Sequence, residues 1–317
     1  PALIEKIKSR AKGEYDSIVG LSGGVDSSYV AYQAVKLGLR PLAVHFDNGW
    51  NSELAVKNIE NIVKKLDLDL MTFVIDWPEF RDIQRSFFKA NVIDIEMVTD
   101  HAIFAAMYQI ANQHGIRYIL SGTNAATESI MPSHWQHFKF DLLNLKSIHK
   151  IFGTRPIRKF PTLSVWQMAW NHYIRGAKSV SLLNYFPYKK NETMEILQTE
   201  LGWQYYGGKH HESVFTKFYQ AHILPEKFGV DKRRIHLSDL IMNGEISREA
   251  ALEEIDQSAY DAIELSNERN YVCKKLGFSD EEFASYLQEG AISHFNFPSY
   301  AGLAKKLVAI HKSFQNG

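Results

Sequence analysis

The sequence predicts an α/β fold, a parallel sheet covered by helices on both faces, with a mostly helical C-terminal region. Three observations predict the architecture. Short, continuous apolar runs alternate with amphipathic helical segments through the first 125 residues. Three of those runs end in clusters of small polar residues. From about residue 130 the alternation stops and aromatic, basic and then acidic helical segments take over. The expected division is residues 1–150 for the α/β unit and 151–317 for the mostly helical region, which packs against it.

The elements follow in order. "SIVGL" (17–21) reads as a buried strand, and "SSYVAYQAVKLG" (27–38) as a helix closed by Gly38. "RPLAVHF" (40–46) is the next strand. "SELAVKNIENIVKKL" (52–66) is a helix with Ser52 as N-cap, because its apolar residues recur at helical spacing. "DLMTFVID" (69–76) is a strand, and Pro78 opens the helix "PEFRDIQRSFFKA". "TDHAIFAAMYQIANQHG" (99–115) is a helix capped by Thr99 or Asp100 and ended by Gly115. "IRYILSG" (116–122) is the fourth strand. After residue 237 come short acidic helices such as "SDEEFASYLQEG". The stretch 134–160 is aromatic and basic, suited either to stacking on a sugar or uracil or to a core.

Composition narrows the function. The 317 residues carry 36 basic and 36 acidic side chains, a balance that speaks against a dedicated nucleic-acid binder. No apolar stretch reaches bilayer-spanning length. The single cysteine, Cys273, excludes an intrachain disulfide and a cysteine-rich zinc site. A reducing, cytoplasmic setting is expected.

The chemistry concentrates in "SGGVDS", residues 22–27. A strand-to-helix turn presents free N–H groups and the positive end of a helix dipole. Gly23 and Gly24 let the backbone approach an anion closely, and Ser22, Ser27 and Ser28 add hydroxyls. Asp26 beside a phosphate needs a cation between them, which suggests Mg²⁺. No lysine follows the turn, so it is not a Walker loop. Asp47 in "HFDNGW" and Gly122, Thr123 and Asn124 in "LSGTN" follow two further strands. Three polar turns at the carboxyl ends of parallel strands mark the edge where open α/β sheets bind ligands.

"SGGVDS", "VHFDNGW" and "LSGTN" together resemble the N-type ATP pyrophosphatases, the PP-loop superfamily. The resemblance implies a parallel sheet of the ATP pyrophosphatase (adenine nucleotide α-hydrolase-like) type, and that Ser22, Gly23, Gly24 and Ser27 bind the pyrophosphate of ATP. It also implies that Asp26 helps hold Mg²⁺, that Asp47 lines the AMP half, and that chemistry occurs at the α-phosphate. Over nearly the whole chain, "LRPLAVHFDNGWNSELAVKNIE", "GGKHHESVFTKFYQAHILPEKFGVDKRR" and "NFPSY" are similar to the N-acetyl sugar amidotransferases, the WbpG-like family of bacterial surface-polysaccharide synthesis. That resemblance implies conversion of an acetamido group on a nucleotide-linked sugar, expected to be a UDP-diacetamido-uronic acid, to an acetamidino group. Ammonia would come from a separate glutaminase subunit, since Cys273 lies in a helical pattern and not in a nucleophile turn. The cysteine pairs that family members often carry near the N-terminus have no counterpart from Pro1 onward.

The region 209–234 supplies candidates for phosphate or an acidic sugar: His210, His211, Glu212, Lys217, Lys227, Lys232, Arg233 and Arg234. Lys227 and Lys232 are the expected catalytic pair alongside Asp26. The competing reading from another class is a tRNA-modifying ATP pyrophosphatase of the lysidine or thiolation type. Neutral net charge and the position of Cys273 speak against it.

Overall fold

The computed structural model of the chain describes residues 2–128, 130–208 and 211–302. Five parallel strands form one sheet in the order β3-β2-β1-β4-β5. They are β1 (Ser17–Gly20), β2 (Pro41–Asp47), β3 (Leu70–Val74), β4 (Tyr118–Ser121) and β5 (Lys178–Ser181). The helices joining the first four are α1 (Ala2–Ser9) ahead of β1, then α2 (Val25–Lys36), α3 (Glu53–Leu66), α4 (Trp77–Lys89) and α5 (Met97–Gln113).

The pleat sends successive side chains to opposite faces. Val19 and Ala43 pack with α1, α2, α3 and Trp203 on one face. Ile18, Leu42 and Val44 pack with Ala105, Met107 and Ile110 of α5 on the other. Both faces are covered, which is why these strands read as continuous apolar runs. Each Val, Leu, Ile or Met among them, fully buried, contributes roughly 1.5–3 kcal/mol. A third cluster joins α4 to the C-terminal region through Trp50, Phe88, Phe215, Phe218 and Phe283. Trp135 and Phe160 belong to it, so the aromatic stretch 134–160 contributes to the core.

Ser52 caps α3 as expected, accepting from the Ala55 N–H at 3.2 Å. Two expectations are corrected. α5 begins at Met97, so Thr99 and Asp100 lie inside it. Its first donor, Met97 N–H, is taken by the buried carboxylate of Asp94 at 3.1 Å, a partner that precedes the apolar pattern. The second correction is β5, which lies beyond residue 150 and completes the sheet. Its sequence, KSVS, is polar because it pairs on one side only.

β1 pairs with β2 on one side and β4 on the other, so the connections run outward in opposite directions from β1. A crevice opens at the carboxyl ends of β1 and β4, the switch point of the sheet.

Candidate functional site

Residues 22–27 leave β1 and turn into α2 at that switch point. Gly23 has φ +81°, a left-handed conformation, and a Cβ there would lie 2.4 Å from the Ala55 carbonyl oxygen. Only glycine suits that position. Its carbonyl accepts from Trp203 Nε1 at 2.8 Å and from Asn58 Nδ2 at 3.4 Å. Asn58 also exchanges two hydrogen bonds of 2.8 Å with the Gln204 backbone. The turn is thus held from behind by α3 and by residues 203–204.

The front of the turn carries its donors. Ser22 N–H lies 3.3 Å from Ser27 Oγ, Gly24 N–H 3.2 Å from Ser22 Oγ, and Val25 N–H donates to the Tyr206 hydroxyl at 3.1 Å. A Cβ on Gly24 would stand 3.1 Å from Glu212 Oε1. Ser28 Oγ donates to the Gly24 carbonyl at 2.6 Å, closing the first turn of α2. Asp26 accepts from the Tyr188 phenol, and from Asn124 Nδ2 at 3.4 Å. Burial, and then the Asp26 charge, push the Tyr188 phenol far above its ordinary range, so it stays a donor.

The β4 turn meets the β1 turn directly. A Cβ on Gly122 would lie 3.2 Å from Ser27 N and 3.3 Å from Asp26 Cβ. Asn124 is buried and accepts from Thr127 N–H at 2.9 Å, so it shapes the turn. Thr123 is exposed and hydrogen-bonds Ser121 at 3.0 Å and Ser181 of β5 at 2.8 Å.

These two turns form one wall of a cleft of about 520 Å³. The opposite wall comes from the C-terminal half, with Tyr206, His211, Glu212, Lys217, Lys232 and Arg233 among its residues. Of the sequence-expected residues, Ser22, Gly24, Asp26, Ser27, Gly122, Thr123 and Lys232 line it. Gly23 and Asn124 support them from behind. Asp47 sits at the end of β2 and accepts from Gly49 N–H at 2.9 Å, beside the cleft and not in its lining.

The basic pool divides sharply. Lys232 faces the cleft, 3.9 Å from Glu96. Lys217 also lines it, but Glu264 and Glu268 bracket its ammonium, and Tyr260 lies 4.7 Å away. Arg233 spends its guanidinium on Asp231 at 2.8 Å and on the carbonyls of Glu254, Ile255 and Gln257. It caps the helix Arg248–Asp256. Burial, and then the charge of Lys217, hold His211 below the usual histidine range. Arg234 is exposed and outside the cleft lining, and His210 lies outside the described residues.

Lys227 is a correction. Its ammonium donates to the carbonyls of Tyr286 and of Glu289, the latter at 2.8 Å, and lies 4.1 Å from the Tyr286 ring centroid. It ties two C-terminal helices together away from the cleft. Density of basic residues in sequence does not distinguish a lysine that faces a ligand from one that caps a helix end.

Sequence reasoning missed Trp203, Tyr188 and Tyr206. The one available signal was "YYGG" at 205–208, where an aromatic pair meets a glycine pair.

Asp26 with phosphate oxygens fits Mg²⁺, which needs only one or two carboxylates when a polyphosphate supplies the rest. Among the described residues no helix is long and apolar enough to cross a membrane.

Two family profiles match the chain. "NAD synthase" covers residues 3–153, and "LPS biosynthesis protein WbpG-like, C-terminal domain" covers residues 212–311. No curated protein matches in sequence. Among solved structures, NMN synthetase from Francisella tularensis is 17% identical, covering 88% of this chain and 94% of that one at TM-score 0.38. A predicted tRNA methyltransferase subunit from Methanocaldococcus jannaschii is also 17% identical, covering 58% and 76% at TM-score 0.32. A 4-thiouridine synthetase in complex with RNA and ATP is 21% identical, covering 58% and 40% at TM-score 0.33. With superpositions this loose, the family profiles carry the assignment.

Proposed function

We propose that this chain, a WbpG-like member of the PP-loop superfamily, is an ATP-dependent, AMP- and pyrophosphate-forming N-acetyl sugar amidotransferase. Its substrate is a nucleotide-linked sugar, a UDP-diacetamido-uronic acid, and its setting is cytoplasmic synthesis of the LPS O-antigen. The observation that carries the reading is the shared cleft. The glycine turn of one matched segment faces Glu212, Lys217 and Lys232 of the other across about 520 Å³.

An amide carbonyl is a poor electrophile with a poor leaving group. In the proposed reaction its oxygen attacks the α-phosphorus of ATP and pyrophosphate leaves, giving an O-adenylyl imidate. Ammonia then adds to the carbon, the C–O bond breaks, AMP departs and a proton is lost, leaving the amidine. The chain's task is positioning and electrostatics. Ser22, Gly24 and Ser27 hold the pyrophosphate at the N-terminus of α2, where the helix dipole favours negative charge. Mg²⁺, held by Asp26 and phosphate oxygens, supplies further charge neutralisation when bound. Thr123 lines the adenosine half, and Asp47, outside the lining, meets it only from the end of β2. Lys232 meets the acidic sugar nucleotide, and the walls of the cleft exclude water from the imidate.

Ammonia is delivered by a separate glutaminase subunit. Cys273 is no substitute nucleophile, since burial pushes its thiol up to about 11. The test incubates the protein with ATP, Mg²⁺, ammonium and UDP-diacetamido-uronic acids. AMP and pyrophosphate should form as one sugar oxygen is exchanged for NH. ADP formation sinks the mechanism. AMP formation that needs tRNA and not sugar would move the chain to the tRNA-modifying class.

A further inference from the structure

A second groove, of about 790 Å³, lies at the other edge of the sheet. α5 ends at Gln113 just before β4 begins at Tyr118, and Arg175 just precedes β5 at Lys178. The groove therefore borders the amino ends of these strands, whereas the cleft borders their carboxyl ends. One wall is the C-terminal part of α5, with Gln109, Asn112 and Gln113. The other is the helix Val165–Ala169, which continues into the π-helical turn Trp170–Ile174.

Both walls are fixed. Ser164 and Gln167 form a capping box with bonds of 3.2 and 2.8 Å. Arg175 N–H reaches back five residues to the Trp170 carbonyl at 3.1 Å. Asn112 Nδ2 donates to Asn171 Oδ1 at 3.0 Å and ties the walls together. On this fixed frame Trp166 and Trp170 are 67% and 58% exposed. Four residues apart, they share one helix face about 6 Å apart along the axis.

We infer that this groove is a binding site for a neutral oligosaccharide. A pyranose ring has an apolar C–H face and a girdle of hydroxyls. The indole faces suit the first, and side-chain amides, which both donate and accept, suit the second. Both indoles line the groove from one helix, so together they can serve more than one ring of an extended sugar. Among the described residues Arg175 is the only charged side chain lining the groove, which is too little for a nucleic-acid strand. A membrane surface selects an amphipathic helix with a cationic face, not a concave groove edged with amides. π turns concentrate at functional sites, and a second π turn, Tyr219–Ile223, places Gln220 and Ala221 in the cleft.

The test titrates the full chain with maltohexaose and with chitohexaose, reading tryptophan emission and heat. Trp50 and Trp203 are buried and Trp77 and Trp135 half-buried, so loss of the emission shift in the single variants assigns it to Trp166 and Trp170. At least one sugar should saturate. Trp166→Ala and Trp170→Ala should each weaken it roughly tenfold or more, with pyrophosphate release from ATP unchanged. Saturation by neither sugar overturns the inference, as does saturation indifferent to both variants. Altered self-association in sedimentation, or binding to anionic vesicles without sugar binding, would assign the groove to a second copy or to a lipid surface and overturn it equally.

Discussion

Trp203 donates its indole N–H to the carbonyl of Gly23 at 2.8 Å, across 180 residues of sequence. The C-terminal half of the chain thereby holds the turn that faces the cleft. Trp203→Phe removes one donor and shrinks a fully buried ring, so the hydrogen bond's cost of about 1 kcal/mol is joined by a cavity cost, to be read as a lower thermal midpoint. Gly23→Ala is harsher, since its φ of +81° and the 2.4 Å approach to Ala55 both oppose a Cβ. It should weaken ATP binding roughly tenfold or more. Unchanged ATP affinity in Gly23→Ala would remove the turn from the phosphate reading.

Tyr188 hydrogen-bonds Asp26, and its phenol stays protonated because burial and the Asp26 charge push its pKa up. Tyr188→Phe removes a hydrogen bond to a charged group, worth about 1.5–3 kcal/mol. The expected result is a rise of about tenfold in the KM for ATP·Mg²⁺, with no new break on the alkaline side of the pH–rate profile. A Mg²⁺ requirement identical to wild type would count against Asp26 as the metal-facing group.

Lys227 and Lys232 should behave oppositely. Lys227→Met loses two carbonyl partners and a ring contact, so it should lower stability by about 1–3 kcal/mol while AMP formation per folded molecule is retained. Lys232→Met, at the cleft wall, should fold and lose roughly tenfold or more in kcat/KM for the sugar nucleotide. The reverse pattern would return Lys227 to the catalytic role its sequence context suggests.

Acid should destabilise the fold in two stages. Burial, and then the charge of His137, hold His294 down at about 3. Its Nε2 accepts from Asp94 N–H at 3.2 Å and its Nδ1 faces Asn144 Oδ1 at 2.8 Å, a neutral tautomer that a second proton would break. Asp94, Lys139 and Asp141 also face it. The unfolded chain takes up this proton near pH 6.5, so stability falls from there toward pH 3, by up to about 1.4 kcal/mol per pH unit. Asp82 adds a second loss. Burial raises its pKa, but hydrogen bonds from Thr154, Arg155 and His149 outweigh that and hold it at about 2. Its contribution is present above about pH 3.9 and is lost below it. Urea midpoints measured from pH 8 to 2 should decline below 6.5 and again below about 3.9, and His294→Gln should flatten the first decline.

Local chemistry was legible in the sequence wherever neighbours along the chain create it. Ser52 as a cap, the glycine turn with Asp26, and four of the five strands depend on residues a few positions apart, so periodicity and turn composition report them. β5 escaped because a strand paired on one edge has no need of an apolar run. The tertiary structure alone decided which turns meet. The reversal of strand order at β1 brings Gly122 against Asp26, and folding of the C-terminal half brings Tyr206 and Lys232 to the cleft and Trp203 and Tyr188 onto the glycine turn, while carrying Lys227 away. Such contacts span from 96 residues (Gly122 to Asp26) to 180 (Trp203 to Gly23) and are selected by packing of whole elements, for which no local pattern of side chains carries a signal.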